Sequence, residues 1–173
     1  GSISAGLSKC GVRGSSFEYT TFSLAMPRFF SSRLITRASG QTDVLYMLTR
    51  LNNANVALFG VGGVGSYAAE ALVRSGVGSL TLIDGDTVAK SNINRQLIAL
   101  DSTVGLPKAQ VMAARAKDIN PNCRITALNC FYDESNKGII DFAKFDYVID
   151  AIDTISSKLL IIELASRAGT RII

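Results

Sequence analysis

The chain has 173 residues, 47% of them hydrophobic and 18% charged, which is typical of one globular domain with a buried core. Its apolar runs, such as residues 55–59 and 159–164, are far shorter than the roughly 20 residues of a membrane span, so no transmembrane helix is expected. The net charge of +4 resides in residues 1–42, and because the rest of the chain is neutral, its charge does not indicate a nucleic-acid-binding module.

Residues 1–42 are predicted to be an irregular leader or tag, and residues 43–173 the folded domain. The leader is rich in Ser and Gly, holds five basic residues against one acidic residue, and lacks periodicity. From Met26 it reads MPRFFSSRLITRASG, which has the basic, Ser-rich composition of a transit peptide. The alternative is a cloning or gene-prediction artefact. The expected location is the cytoplasm, or a mitochondrion or another organelle if the leader is a transit peptide.

The first elements of the domain change from helical to strand periodicity. The run TDVLYMLTRLNN places Val44, Leu48 and Leu51 on one helical face, with Thr42 as a plausible N-cap. A short apolar strand at residues 55–59, a helix at 63–75 and a second strand at 79–83 follow. This order predicts a βαβ unit.

Strands and helices continue to alternate downstream. We predict a helix at 107–119 with Pro107 in its first turn, a strand at 124–128, a short helix at 136–143, a buried strand at 147–152, a helix at 154–168 and a strand from residue 171. This alternation predicts an α/β fold with a doubly wound, mainly parallel, Rossmann-like sheet covered by helices on both faces. Because the sequence stops inside a strand, a missing C-terminal portion is also expected.

The sequence GVGGVG follows the first predicted strand and opens the first helix, the context in which G-x-G-x-x-G binds phosphate. Gly60 permits the tight turn, Gly62 and the adjacent Gly63 let the backbone approach phosphate, and Gly65 lets helix and strand pack closely. The helix N-terminus then offers N–H groups to an anion. The alternative is a glycine-rich turn without a ligand.

Charged residues after two of the strands suggest what the loop binds. Asp84 ends the second strand, where an acid can accept hydrogen bonds from a ribose, so NAD and ATP fit equally at this point. Arg95 and Lys108 could supply the positive charge that a triphosphate needs, and Asp153 a carboxylate for its metal. Singly, each could be a solvated surface charge. Loops at the carboxyl ends of strands meet where the strand order reverses, so the glycine loop and Asp153 are expected to lie together.

The chain contains no histidine, which removes histidine-based triads, general bases and metal sites from consideration. Cys10, Cys123 and Cys130 form no C-x-x-C pair, so neither a thiolate zinc site nor a disulfide framework is indicated. Cys123 and Cys130 are interpreted as small core residues.

Five motifs in order, GVGGVG, LIDGDTV, SNINRQ, TVGLPK and VIDAIDT, resemble the ATP-dependent adenylating superfamily that includes the ThiF, MoeB and ubiquitin-activating enzymes. Within it, RSGVGSLTLIDGDTVAKSNINRQ and VIDAIDTISSK look most like the tRNA threonylcarbamoyladenosine dehydratases. The resemblance covers residues 51–173.

The resemblance implies ATP and Mg²⁺ as cofactors, with the glycines on phosphate, Asp84 on the ribose and Asp153 on Mg²⁺. The cofactor-binding residues that it implies are Gly60, Gly62, Gly63, Gly65, Asp84, Asp86, Asn94, Arg95, Gln96 and Lys108. Arg95, Lys108 and Asp153 are the implied catalytic residues. Three features depart from the family. The arginine that reaches a partner subunit's ATP does not align clearly, and Arg28, Arg33 and Arg37 are equal candidates for it. Ile98 stands where the subfamily often has His, and a C-terminal part is missing.

The implied activity is adenylation of a carboxylate, most simply the cyclising dehydration of threonylcarbamoyladenosine in tRNA. The implied partners are tRNA and a second copy of the chain. One alternative is adenylation of the C-terminus of a ubiquitin-like sulfur carrier, with that carrier or a cysteine desulfurase-related protein as partner. Two others are an NAD(P)-dependent oxidoreductase and a nucleotide-binding structural or regulatory protein.

Overall fold

A computed structural model of the protein describes residues 41–173, with side chains from Asp43 onward. Predictions that concern residues 1–40, including the leader and the arginines at 28, 33 and 37, lie outside the described residues. The helices and strands, in chain order, are α1 Gln41–Asn53, β1 Asn55–Phe59, α2 Gly65–Arg74, β2 Ser79–Ile83, α3 Lys108–Ile119, β3 Arg124–Leu128, β4 Tyr147–Asp150, α4 Ile155–Ala168 and β5 Arg171–Ile172.

The five strands form one parallel sheet in the order β3-β2-β1-β4-β5. The first three strands run outward from β1 in one direction, and the chain then crosses to β4 on the other side of β1. The order therefore reverses between β1 and β4, where doubly wound folds hold their ligands at the carboxyl ends of the strands. The α/β fold and the parallel sheet predicted from the sequence are confirmed.

The alternation of side chains along β1 separates two hydrophobic clusters, one on each face of the sheet. Val56 and Leu58 face the first cluster, which contains buried residues of α2 and α3. Ala57 and Phe59 face the second, where Phe59 contacts the rings of Tyr132 and Phe142. Residues of α4 complete that second cluster. Helices thus cover both faces, as predicted.

The predicted bounds of β4 and α3 are among those that differ from the structure. Strand β4 ends at Asp150 rather than at residue 152, since the Asp150 carboxylate accepts a hydrogen bond from Ile152 N and turns the chain. Helix α3 begins at Lys108, and Pro107 is its N-cap with extended backbone angles rather than a residue of its first turn.

The short helix predicted at residues 136–143 is wrong. Two 3₁₀ turns stand there, Lys137–Ile139 and Phe142–Lys144. Between them Ile140 has extended backbone angles, so the two turns do not join into one helix. The Ile140 side chain is buried in the core.

The prediction for the first helix is confirmed only in part. Helix α1 already includes Gln41, so Thr42 is not its N-cap. Val44 and Leu48 are 54% and 49% exposed, so the expected apolar face is not buried against the rest of the described chain. None of the helices between residues 41 and 173 combines the length and apolar character that crossing a membrane requires.

Candidate functional site

The glycine loop after β1 and the turn after β4 are in direct contact, as the reversal of strand order predicts. Gly60 has a φ of 88°, in the left-handed region, and a Cβ added there would lie 2.6 Å from Ala151 O. Ala151 N also donates to Phe59 O at 2.8 Å. Asp153 follows two residues after Ala151, so its carboxylate belongs to the same edge of the sheet as the loop.

Asp84 fixes the glycine loop from the neighbouring strand. Its Oδ2 accepts a hydrogen bond from Val61 N at 2.6 Å, and its Oδ1 accepts one from Asp86 N at 2.8 Å. Each carboxylate oxygen has a second lone pair, so the expected contact with a ribose hydroxyl is compatible with this arrangement. The carboxylate therefore has a structural task that the sequence motif alone did not reveal.

The segment Ser91–Gln96 lies over the open side of the glycine loop. A Cβ at Gly62 would be 3.8 Å from Gln96 Nε2, and one at Gly63 would be 3.7 Å from Arg95 O. Gln96 is 7% exposed, and among the described residues its Oε1 has no hydrogen-bond partner. A buried acceptor without a partner costs free energy, so this oxygen fits a ligand that brings a donor.

Ser66 and Asn92 hold this segment in place, and sequence reasoning missed both. Ser66 Oγ donates to Gly62 O at 2.6 Å and accepts from Leu97 N at 3.3 Å, which joins the start of α2 to the segment. The buried Asn92 accepts from Ala89 N at 3.0 Å. Ser66 directly follows the glycine motif and Asn92 belongs to SNINRQ, so proximity to those motifs was the available clue.

Lys108 is the buried cation of the site. It is 6% exposed, and its Nζ lies 2.8 Å from Asp86 Oδ2 on a side chain that is 53% exposed. The TVGLPK loop places it there: Val88 N donates to Leu106 O, and Lys108 N donates to Asp86 O. Lys108, Asp86, Asp84 and the glycine loop thus form one connected hydrogen-bonded chain.

Arg95 is the exposed cation of the site. Its Nη1 donates to Ser91 O and to Asn94 Oδ1, both at 3.0 Å. Asn94 therefore helps to orient the guanidinium, and the direct nucleotide contact expected of it stays a prediction. The exposed guanidinium keeps further N–H donors for an anion.

Asp153 is the least committed of the four carboxylates at this edge of the sheet. Its recorded contact among the described residues is one long hydrogen bond, from Thr154 Oγ1 to Oδ1 at 3.5 Å. Asp84 and Asp86 are engaged as described, and Asp150 pairs with Lys158 at 2.8 Å. No cluster of three or more Cys, Asp or Glu side chains suited to a metal ion occurs between residues 41 and 173.

A comparison with known protein families identifies the family of this chain. The ThiF family profile matches residues 32–173, which is most of the chain. The chain belongs to the ThiF family. The adenylating family expected from the five motifs is thereby confirmed.

Two known proteins are similar to this chain in sequence. The tRNA threonylcarbamoyladenosine dehydratase of Bacillus subtilis is 56% identical over 113 residues, which are 65% of this chain and 44% of that protein. The molybdopterin-synthase adenylyltransferase of Escherichia coli is 38% identical over 62% of this chain and 43% of its own length. This chain therefore spans less than half the length of both relatives.

A solved structure shows the same fold with a nucleotide. The E. coli tRNA N6-threonylcarbamoyladenosine dehydratase TcdA, in complex with ATP, superimposes with a TM-score of 0.71 and 43% identity. The match covers 73% of this chain and 52% of that chain. The fold of this ThiF-family member is thus that of an ATP-binding relative.

The described cysteines of this ThiF-family chain belong to the two hydrophobic clusters. Cys123 is fully buried in the first hydrophobic cluster, and Cys130 packs against the second. Burial raises the pKa of both thiols, which suppresses the nucleophilic thiolate. Cys123 is thus a core residue, as predicted, whereas Cys130 is only partly buried beside the core.

Proposed function

We propose that this chain carries the ATP-binding part of an adenylating enzyme whose substrate is threonylcarbamoyladenosine in tRNA. The observation that carries the proposal is the contact between Gly60 and Ala151, because it joins a phosphate-binding loop to the turn that bears Asp153. The 56% identity to the B. subtilis dehydratase and the ATP complex of its E. coli counterpart support the choice of nucleotide and substrate.

ATP fits the glycine loop and the side chains around it. Gly62 and Gly63 leave the backbone N–H groups at the start of α2 open to phosphate, since nothing but Arg95 and Gln96 approaches their missing Cβ atoms within the described chain. Lys108 and Arg95 are proposed to bind the phosphates, which requires Lys108 to exchange its Asp86 partner for a phosphate oxygen. Asp84 is proposed to hold the ribose.

Asp153 fits the role of a Mg²⁺ ligand, with the phosphates of the nucleotide as the other ligands. Magnesium in such sites is held by one or two carboxylates together with substrate phosphates, so a single uncommitted carboxylate suffices. When bound, the ion neutralises charge that develops on the phosphates. To such a site this chain would contribute the exposed carboxylate of Asp153, which follows β4 and lies beside the proposed phosphate-binding loop.

The proposed chemistry makes a poor electrophile reactive. A carboxylate oxygen of the substrate attacks the α-phosphorus of ATP, pyrophosphate leaves, and an acyl-adenylate remains. A nucleophile on the same side chain then attacks the acyl carbon, and AMP leaves with the former carboxylate oxygen. Because ring closure is intramolecular, with effective molarities of about 10⁵ to 10⁸ M, no catalytic cysteine or histidine is needed. Arg95 and Lys108 stabilise the charge on phosphate during the first step.

The experiment measures ATP binding by this chain and pyrophosphate–ATP exchange in the presence of threonylcarbamoylated tRNA. Asp153→Asn is expected to lower Mg²⁺-dependent exchange by about 100-fold or more while melting as the wild type does. Asp118→Asn, which removes an exposed carboxylate from the end of α3, is the matched control. Full exchange in Asp153→Asn would contradict the role of Asp153.

A second candidate substrate is the C-terminal carboxylate of a ubiquitin-like sulfur carrier. It is favoured by the 38% identity to the molybdopterin-synthase adenylyltransferase of E. coli. Exchange stimulated by a Gly-Gly-ended carrier protein, with no response to modified tRNA, would select this substrate instead. Binding of NADH without any binding of ATP would contradict both candidates.

Assembly and location complete the proposal. A homodimer is proposed from membership of the family, and tRNA is the proposed partner, with a sulfur carrier or a cysteine desulfurase-related protein as the alternative. The location proposed is the cytoplasm, with an organelle as the alternative. Gel filtration tests the assembly, and fractionation of cells tests the location.

A further inference from the structure

The carboxyl end of β4 carries an ion pair to which no role has been assigned above. Asp150 Oδ2 lies 2.8 Å from Lys158 Nζ, and the two side chains are 8% and 37% exposed. Asp150 is the last residue of β4, and Lys158 is the fourth residue of α4. The pair therefore spans the turn 151–154, which contains Asp153.

The carboxylate of Asp150 holds this turn from both sides. Its Oδ1 accepts a hydrogen bond from Ile152 N at 3.2 Å, and its Oδ2 binds the lysine of the following helix. The backbone of Asp150 is fixed in the sheet, since its N donates to Ile173 O and the next residue's N donates to Phe59 O. One side chain thus connects the rigid sheet, the turn and the first turn of α4.

The position of Lys158 in the first turn of α4 is electrostatically unfavourable without the contact to Asp150. The first turn of a helix carries partial positive charge, so acidic residues are favoured there and cations are disfavoured. Helix α4 has no acidic residue in its first turn, and Lys158 is placed there instead. The nearly buried Asp150 carboxylate accounts for this, because a buried charge requires a partner.

The same turn contacts the glycine loop. Ala151 O would lie 2.6 Å from a Cβ at Gly60, so this turn sets the place of Asp153 relative to the glycine loop. Groups that orient a metal ligand without touching the metal commonly alter metal affinity by about 10–100-fold when removed.

We propose that the Asp150–Lys158 ion pair is a positioning device that holds Asp153 where it can bind the magnesium ion of Mg·ATP. The proposal rests on the function proposed above. Neither Asp150 nor Lys158 is assigned a contact with nucleotide or metal; they act through the backbone of the turn.

The test measures ATP affinity of this chain by calorimetry, once with Mg²⁺ and once with EDTA, and Mn²⁺ binding in the presence of ATP by electron paramagnetic resonance. Lys158→Met is expected to reduce the gain in affinity that Mg²⁺ provides by about 10-fold or more, and to weaken Mn²⁺ binding similarly. Affinity for metal-free ATP should stay close to that of the wild type. Lys158→Arg, which preserves the charge, should return most of the metal dependence.

Two further variants separate positioning from folding. Lys144→Met removes a lysine from an exposed pair with Asp141 and should leave every affinity unchanged. The double variant Asp150→Asn with Lys158→Met removes the unpaired buried charge, so its melting temperature should recover while its metal dependence stays low. Lys158→Gln serves the same comparison should Lys158→Met not fold.

The outcomes are distinct. Equal losses of ATP affinity with and without Mg²⁺ in Lys158→Met would overturn the proposal, because they would mean that Lys158 acts on ATP binding by a route other than the metal. Wild-type metal dependence in a folded Lys158→Met variant would overturn it as well, while the proposed function stood. A wild-type chain whose ATP binding does not respond to Mg²⁺ would overturn the proposed function together with this inference.

Discussion

Glycines and aspartates occur at both ends of the parallel sheet, but they have different surroundings at each end. At the amino-terminal end, the space beside Gly78 is filled by the chain itself, because a Cβ there would lie 1.7 Å from Asn52 O. At the carboxyl end, Gly62 and Gly63 face space that, among residues 41–173, only the neighbouring Ser91–Gln96 segment approaches, at 3.7 Å or more.

Carboxylates differ between the two ends in the same way. At the amino-terminal end, Asp146 accepts a hydrogen bond from Asn55 N at 2.8 Å and joins the starts of β4 and β1. At the carboxyl end, Asp86 binds the buried Lys108, and Asp153 is largely uncommitted. Asp84 also binds backbone N–H groups at the carboxyl end, but that end has in addition two carboxylates, Asp86 and Asp153, whose side chains bind no backbone group in the hydrogen bonds described.

A surface depression lies at the end of the sheet opposite the candidate site. A depression of about 220 Å³ opens at the amino-terminal end, between the segments of Asn52, Gly78 and Arg124. The backbone there is already paired, with Arg124 N donating to Gly78 O and Gly78 N to Leu51 O. The chemistry therefore follows from uncommitted charges and open glycines rather than from the size of a depression.

The largest predicted effect concerns glycines whose missing Cβ would meet backbone. In Gly65→Ala the new Cβ would lie 1.8 Å from Gly60 O, and Gly78→Ala meets the same kind of obstacle. Because backbone has to shift, each is expected to lose about 3 kcal/mol or more of unfolding free energy in urea. Gly138→Ala, with nothing within 4 Å among the described residues, is the control and should stay within about 0.5 kcal/mol. A Gly65→Ala variant as stable as the control would show that the comparison is wrong.

A second prediction separates stability from binding at the carboxyl end. Lys108→Met keeps an apolar stem and leaves Asp86 half exposed to water, so unfolding free energy should change by less than about 1 kcal/mol. ATP affinity, measured by calorimetry, should fall by about 10–100-fold, because a charge-assisted hydrogen bond to phosphate is lost. Lys137→Met, in an exposed pair on another part of the surface, should alter neither quantity. Unchanged ATP affinity in Lys108→Met would remove this lysine from the site.

A third prediction sharpens the contrast within the glycine motif itself. Gly62→Ala adds a Cβ at ordinary van der Waals distance from Gln96, and Gly62 does not have a positive φ, so the fold should tolerate it within about 1 kcal/mol. The same methyl group occupies the side from which phosphate approaches, and ATP affinity should fall by about 10-fold. Comparing it with Gly65→Ala distinguishes a binding glycine from a packing glycine. A destabilised Gly62→Ala variant that binds ATP normally would reverse the assignment.

The sequence predicted the sheet and the loop because both depend on local patterns. Strands β1, β2 and β3 have the predicted bounds, since short apolar runs bounded by Gly and polar residues specify them. The α2 helix begins at Gly65 rather than residue 63, because the two central glycines of the motif form the turn. Element type follows from periodicity, whereas an end depends on individual hydrogen bonds.

The side-chain pairs of the site could not be predicted in this way. Asp84 binds Val61 N across 23 positions of sequence, and Arg115 on α3 binds Glu70 on α2 across 45. Such partners are chosen by the packing of distant elements, and residue type alone does not name them. The orphaned oxygen of Gln96 is likewise visible only once the segment is seen to be buried.

The smallest predicted effect concerns Glu70, a carboxylate on the helix that follows the glycine loop. Glu70 on α2 binds Arg115 and Arg74, and the hydrogen bond from Arg115, chiefly, lowers the pKa of Glu70 from its ordinary 4.5. A lowered folded pKa means that this stabilisation is present above the ordinary value and is lost as pH falls through the folded value. As pH falls below the ordinary 4.5, the wild type should therefore lose about 1 kcal/mol more unfolding free energy than Glu70→Gln. Glu163→Gln, in the exposed pair with Arg167, is the control and should follow the wild type. Parallel curves for wild type and Glu70→Gln would mean that the ion pair joining α2 to α3 contributes nothing, and that the glycine loop at the start of α2 is held by hydrogen bonds and packing alone.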